Sequence, residues 1–226
     1  MKRVIWKAAL SSSVYLSSAT NRASAFRGPL SFVARTASAC SSSRWFSRGR
    51  DSEDSNTNMA KLESPAAERN KHPIWLVVRD EVLPDLEGDE LKVLEIASGA
   101  GVHAHYLTSQ FLLQGGRSWI WQPADTDARY MASVQAYIDE DPTLNKVLLP
   151  PVRLTLDETG IIENETKAMF RNRTFDLIFN VNMIHISPWS ATQGLMKLAG
   201  EKLRSGGVLF LYGPYRVGGK CVESNE

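Results

Sequence analysis

Cysteine is nearly missing from this chain of 226 residues, which carries it twice, at Cys40 and Cys221. The stretch between them therefore forms neither an internal disulfide nor a thiolate zinc site. Long apolar runs are missing as well. None approaches the roughly 20 residues that a membrane-spanning helix needs, and no membrane partner is expected. Acid is absent from the first fifty residues, which hold nine Lys and Arg and twelve Ser. The formal net charge of +1 thus divides into +9 for residues 1–50 and −8 for residues 51–226. A body of that sign is a poor non-specific binder of polyanions, because neutralising phosphates needs a basic surface. Nucleic acid is not an expected partner.

What the first segment has in place of acid is an address. Arg-rich, Ser-rich and acid-free composition, with no continuous apolar stretch after Lys2 and Arg3, is that of a mitochondrial transit peptide rather than a secretory signal. The opening MKRVIWKAAL winds into a helix in this reading, with its cations set against Val4, Ile5 and Leu10. Arg44-Trp45-Phe46-Ser47 fits a matrix processing pattern, with the cut after Phe46. Residues 1–46 are thus the expected leader to the mitochondrial matrix and residues 47–63 a flexible linker, polar and acidic from Asp51 to Asn58. Translation from Met59 would give a cytoplasmic form without the leader.

From Ser64 onward, apolar runs of strand length alternate with helical patterns, the signature of parallel strands joined by crossover helices. Pro73 is expected in the first turn of a helix that Pro84 ends. Strands are expected over residues 92–97, 118–121, 152–156, 175–179 and 208–212, with Pro123 stopping the second and Gly206-Gly207 preceding the fifth. Helices are expected over residues 102–113, around Tyr130 to Ile138, and over residues 189–203. The fold class is α/β, a doubly wound Rossmann-like sheet, whose ligands bind beyond the carboxyl ends of the strands.

The sharpest local feature is Glu95-Ile96-Ala97-Ser98-Gly99-Ala100-Gly101-Val102-His103-Ala104, a strand that runs into small residues and opens a helix. Gly99 and Gly101 permit a backbone turn and a close ligand approach that a side chain would block. Gly99-x-Gly101-x-x-Ala104 also fits the looser dinucleotide fingerprint. A carboxylate within the strand, at Glu95, is expensive to bury unless something pairs with it. S-adenosylmethionine, with its ammonium and sulfonium, suits that carboxylate better than a pyrophosphate does; the alternative is a structural Arg or Lys. Asp125 follows the second strand, where an acid accepts from ribose hydroxyls in either cofactor class, while Asp127 is placed to cap the next helix. Asp157 either meets an adenine amine or forms a turn. After the fourth strand, Asn180 is a candidate for the cofactor and Asn182 for the acceptor side.

Five motifs in order carry a family resemblance: Ser64 to Lys71, the loop from Glu95 to Ala104, Trp121-Gln122-Pro123, Asn182 to Trp189, and Leu211-Tyr212-Gly213-Pro214-Tyr215. Together they resemble methyltransferase-like protein 26 and its bacterial relatives, a family catalogued as a domain of unknown function. The resemblance implies a class I S-adenosylmethionine-dependent methyltransferase domain over residues 64–226, with Glu95, Gly99, Gly101 and Asp125 on the cofactor. It places Glu68, Arg69 and Asn70 near the same pocket. Relatives continue past the end of this chain with a helix and two antiparallel strands, so strand 208–212 is expected to be an open apolar edge in an incomplete, truncated sheet.

In such an enzyme the acceptor attacks the methyl carbon in line, and the protein's main contribution is positioning. His185, at the mouth of the fourth strand, is the candidate general base, or else a structural histidine. His103 and His105 either touch ligand or face solvent, and Tyr212 and Tyr215 are candidates for one wall of the acceptor site. Two other classes stay open: an NAD-dependent oxidoreductase, and a non-catalytic nucleoside-binding or interaction protein. The methyl acceptor is not identified by these residues.

Overall fold

Six parallel strands form the central sheet of the computed structural model, which describes residues 2–8, 61–217 and 220–221. In chain order these are β1 (Arg3–Ala8), β2 (Glu90–Ile96), β3 (Ser118–Asp125), β4 (Val152–Arg153), β7 (Phe175–Val181) and β8 (Leu203–Gly213). Two short antiparallel pairs stand apart, β5 (Leu156–Asp157) with β6 (Gly160–Ile161), and β9 (Arg216–Val217) with β10 (Lys220–Cys221). Helices α1 (Pro65–Val77), α2 (Val102–Gln114), α3 (Ala128–Glu140), α4 (Asn164–Phe170) and α5 (Trp189–Lys202) surround the sheet. Spatial order is β1-β8-β7-β2-β3-β4. Strand order therefore reverses at β2, where β3 lies on one side and β7 on the other, and a ligand crevice opens at such a switch point.

Alternation along each strand sorts its side chains onto two cores. Leu91, Val93, Trp119, Trp121, Leu177, Phe179, Val208 and Phe210 meet apolar residues of α1, α2 and α3 on one face. Leu94, Ile96, Ala124, Ile178, Leu209 and Leu211 meet α4 and α5 on the other. This is a doubly wound Rossmann-like sheet, as expected. Among the described residues no helix is long and apolar enough to cross a membrane.

Several local expectations give way to longer-range forces. Helix α1 begins at Pro65 and carries Pro73 in its interior rather than at its start. Burial of Ala67, Ile74, Trp75 and Val77 holds it through the missing hydrogen bond. Strand β3 runs through Pro123, paired with Glu95, instead of stopping before it. On the far side of β3 the Trp121 N–H donates to Val147 O at 2.7 Å and Asp125 O accepts from Leu154 N at 3.0 Å. Residue 123 faces that same side, between the Leu148 bridge and the start of β4 at Val152, so the absent N–H falls in a gap of the ladder. The expected third strand splits into β4 and the β5–β6 hairpin. Gly206, at φ +81°, and Gly207 lie inside β8 rather than before it.

At the outer edge of β8 the structure overturns two expectations. Arg3–Ala8 is a strand, not a helix, and it lies parallel to β8 in register from Arg3 with Val208 to Ala8 with Gly213. Val4, Ile5 and Trp6 are residues that favour an extended chain, and β8 offers a row of backbone partners that an isolated helix would leave unused. The expected open edge is thus covered by the chain's own start. The cut after Phe46, the linker through Asn58 and the start at Met59 lie outside the described residues.

Candidate functional site

At the carboxyl end of β2 the backbone turns sharply through Ala97 at φ +56°, Gly99 at φ +55° and Gly101 at φ +91° before α2 begins. The two glycines serve different needs. A Cβ on Gly101 would lie 3.0 Å from Val134 Cγ2 and 3.1 Å from Val134 Cα, so this position lets α3 pack against the loop. A Cβ on Gly99 would meet nothing within 4 Å, so Gly99 faces open space and its requirement is conformational. The loop is tied to β3 by two bonds, Ser98 N to Ala124 O at 3.0 Å and Gly99 N to Asp125 Oδ2 at 2.8 Å. The other Asp125 oxygen accepts from Asp127 N at 3.0 Å, which makes Asp125 a clamp between the loop and the start of α3. Asp127 caps α3 through Arg129 N at 2.8 Å, as its position suggested.

Beside this loop sits Glu95, 2% exposed. Its Oε2 accepts from Trp121 Nε1 at 2.8 Å. No described Lys or Arg pairs with it, so the structural alternative of a basic partner does not hold. Burial pushes its carboxyl up to about 8, against the pull of the Trp121 bond and with a further push from Asp125. The adjacent strand β7 ends in Asn180, fully buried, whose Nδ2 donates to Ile96 O at 2.9 Å. Its Oδ1 is buried without a partner, and so is Ser98 Oγ in the loop. Buried polar atoms left unpaired at a strand end point to a ligand that would satisfy them.

Helix α1 reaches across to this region through Asn70. Asn70 Oδ1 lies 2.7 Å from His103 Nε2, so in this arrangement the imidazole nitrogen donates. Asn70 also hydrogen-bonds the Tyr212 hydroxyl, which lowers a phenol that burial raises. His103 is buried, which holds its pKa down to about 4. It therefore does not face solvent. His105 does reach the surface, its ring 4.9 Å from that of Tyr137 and its Nε2 3.7 Å from Asp141 Oδ2. Arg69 is exposed, and it lines a cavity of about 500 Å³ with Lys61, Glu68, Val102 and Tyr137.

Two expected site residues stand apart from this cluster. Asp157 belongs to the β5–β6 hairpin, where its Oδ1 accepts from both Thr159 N at 2.8 Å and Thr159 Oγ1 at 2.6 Å. Those bonds hold its carboxyl below the usual range and match the turn reading. His185 lies exposed in the turn between β7 and α5. The sequence reading gave Trp121 no role at the site, although its placement two residues before Pro123, opposite Val93, is what aims its indole at Glu95. Among the described residues no group of three or more His, Cys, Asp or Glu could hold a metal.

Residues 61–226 match the family model described as Protein of unknown function (DUF938), and the chain belongs to that family. Solved structures similar to it include YjhP from E. coli, at 14% identity and a TM-score of 0.43, covering 67% of this chain and 51% of that one. The carbon methyltransferase DszA is similar at 17% identity and a TM-score of 0.46, covering 69% and 38%. Coclaurine N-methyltransferase bound to N-methylheliamine and S-adenosylhomocysteine is similar at 11% identity and a TM-score of 0.44, covering 67% and 39%. This chain thus spans between 38% and 51% of the length of these three structures.

Proposed function

We propose that the protein is an S-adenosylmethionine-dependent methyltransferase of the methyltransferase-like 26 type. The observation that carries this reading is Glu95: a buried carboxyl without a basic partner, beside a positive-φ loop at the point where strand order reverses. Residues Glu95, Ser98, Gly99 and Asn180 fit such a cofactor, the carboxyl toward its cationic amino-acid portion and the unpaired Ser98 and Asn180 atoms toward its polar groups. Asp125 retains lone pairs for a ribose beyond its two backbone bonds, and Arg69 and Asn70 are proposed to meet the cofactor from α1. Bound S-adenosylmethionine would supply an electrophilic methyl group.

The chain's own part is to exclude water and to hold groups in place. Glu95 ionises opposite a cation, and Asn70 fixes His103 and Tyr212 at the acceptor side. His185 is proposed to take the acceptor's proton where the acceptor carries one. Nothing in this reading depends on nucleic acid or a membrane. The leader is proposed to direct the full-length form to the mitochondrial matrix, and a start at Met59 would leave a cytoplasmic form.

Calorimetric titration of the folded full chain tests the reading. Micromolar affinity for S-adenosylmethionine and for S-adenosylhomocysteine is expected. No heat with either ligand from a folded sample overturns it, and heat with NADH in their place would assign the site to a dinucleotide.

A further inference from the structure

One hydroxyl joins the glycine loop to the segment that precedes α1. Ser133 of α3 is fully buried; its Oγ donates to Ala100 O in the loop at 2.7 Å and accepts from Leu62 N at 2.8 Å. A hydroxyl carries one hydrogen and two lone pairs, so the hydrogen is committed to the loop and a lone pair to Leu62. The next residue of α3, Val134, is the one that a Cβ on Gly101 would meet at 3.0 Å. Consecutive residues of α3 thus hold consecutive residues of the loop.

Residues 61–64 are themselves anchored at either end. Lys61 Nζ pairs with Glu140 and lies 4.5 Å from the centre of the Tyr137 ring. Ala67, in the first turn of α1, forms a small buried cluster with Ala100 and Val102. Between these anchors packing is sparse: Leu62 is 38% exposed, Glu63 is exposed, and a cavity of about 500 Å³ lies among residues 61–65, Arg69, Val102 and Tyr137. The turn they reach needs holding. Ala97 sits at φ +56° although it carries a Cβ, and a strained turn persists where its surroundings over-determine it. A helical serine has another use for its hydrogen, the carbonyl four residues earlier. Accepting from Leu62 N opposes that rotation and keeps the Ser133 hydrogen on Ala100 O.

We propose that residues 61–64 form a strap that fixes the glycine loop through Ser133, which makes Ser133 a positioning residue of the cofactor site. The hold on the loop stands on the geometry alone; its effect on the cofactor rests on the function proposed above. Strap and cofactor then act on the same turn, and by linkage each tightens the other by the same factor.

The test uses the full chain and begins without ligand. Ser133→Ala removes both bonds, and hydrogen exchange is expected to show amides 98–101 exchanging about ten-fold faster while those of residues 177–180 in β7 keep their rates. Leu62→Pro removes the strap's donor and leaves the serine in place, and its loop amides are expected to speed up as well. Leu62→Ala loses the same side chain but retains the N–H, and is expected to match the unmodified chain. Equal acceleration of the loop and β7 in Ser133→Ala overturns the proposal, because loss of overall stability would then account for it. So does a loop that exchanges alike in Leu62→Pro and Leu62→Ala. Should one variant fail to fold, the other decides. With S-adenosylhomocysteine as the probe, both strap variants are expected to bind about five-fold or more weakly, and the ligand is expected to slow exchange at Leu62 in the unmodified chain. Unchanged affinity in both variants overturns the coupling. An unmodified chain that binds none of this probe counts against the cofactor reading, and the ligand-free exchange still decides the strap.

Discussion

The indole N–H of Trp121 points at Glu95 Oε2 across 2.8 Å, one strand from the next, in a part of the sheet where both side chains are buried. Trp121→Phe removes that donor and replaces the fully buried indole with a smaller phenyl ring, so a cavity cost adds to the lost hydrogen bond. A buried carboxyl left short of a hydrogen bond loses about 1–3 kcal/mol, so a lower melting temperature is expected. Affinity for S-adenosylmethionine should fall with it, since the carboxylate would lose the group that orients it. Glu95→Gln should do the opposite to stability, leaving it equal or higher by removing the buried acid, while weakening the cofactor ten-fold or more, on the order of 1.4 kcal/mol. A Glu95→Gln variant that binds as tightly as the unmodified chain would show that the carboxylate does not face the cofactor.

Stability against pH follows from the same group with an inverted sign. The Glu95 carboxyl rises from an ordinary 4.5 to about 8 through burial, so between those values the folded chain holds a proton that the unfolded chain has lost. Stability from this group is full below pH 4.5 and declines as pH rises to 8. His103, held down from 6.5 to about 4 by burial, acts the other way: its contribution is full above pH 6.5 and is lost as pH falls toward 4. The two oppose each other between pH 4.5 and 6.5, and from there to pH 8 the Glu95 decline stands alone, on the order of 2 kcal/mol. Denaturant unfolding at intervals across that window should show the decline in the unmodified chain and its absence in Glu95→Gln.

Cofactor binding should release a proton. At pH 7 the buried carboxyl is mostly protonated, and a cation placed opposite it drives ionisation. Titrations in buffers of different ionisation enthalpy are expected to report close to one proton released per ligand bound. Heat that does not vary with the buffer would mean that Glu95 keeps its protonation state and has no cation as a partner.

The two glycines should separate stability from binding. Gly101→Ala forces a Cβ to 3.0 Å from Val134 Cγ2 at φ +91°, and a loss of about 1–3 kcal/mol is expected. Gly99→Ala adds a methyl to open space, so its cost is that of a left-handed alanine, about 1 kcal/mol. In the proposed reading the cofactor approaches across that open space. Gly99→Ala is therefore expected to damage cofactor affinity out of proportion to its melting temperature, and Gly101→Ala to show the reverse.

Parts of this arrangement were legible in the sequence because local chemistry determines them. The run from Lys92 into Gly99-Ala100-Gly101 announces a strand, a turn and a helix, and that order survives intact. Asp127 caps the helix that its position suggested. Other features depend on partners distant along the chain. Pro123 looks like the end of a strand until the gap between Leu148 and Val152 is seen beside it. Residues 3–8 look like an amphipathic helix until β8 supplies an edge. Asp157 and Thr159 close a hairpin of their own, so an acid that resembled a ligand group is occupied locally. The burial of His103 could not be read from its place in the first turn of α2, because its hydrogen-bond partner, Asn70 of α1, lies 33 residues earlier.

Asn70 links α1, α2 and β8 through one amide, and its substitutions should be read at its two partners. Its oxygen accepts from His103 Nε2 and its side chain also bonds the Tyr212 hydroxyl. Asn70→Ala leaves a buried imidazole N–H without an acceptor, and a loss of about 1–3 kcal/mol is expected. Asn70→Asp keeps the shape and replaces a neutral acceptor with a carboxylate. Beside a charge of opposite sign the imidazolium becomes favourable, so His103 should titrate about one unit or more above its starting value near 4. The carboxylate also repels the phenolate of Tyr212 and removes its donor, raising the phenol further. Nuclear magnetic resonance of the His103 ring against pH measures the first shift directly. A His103 resonance that titrates identically in Asn70→Asp and in the unmodified chain would break the link between α1 and the glycine-loop helix.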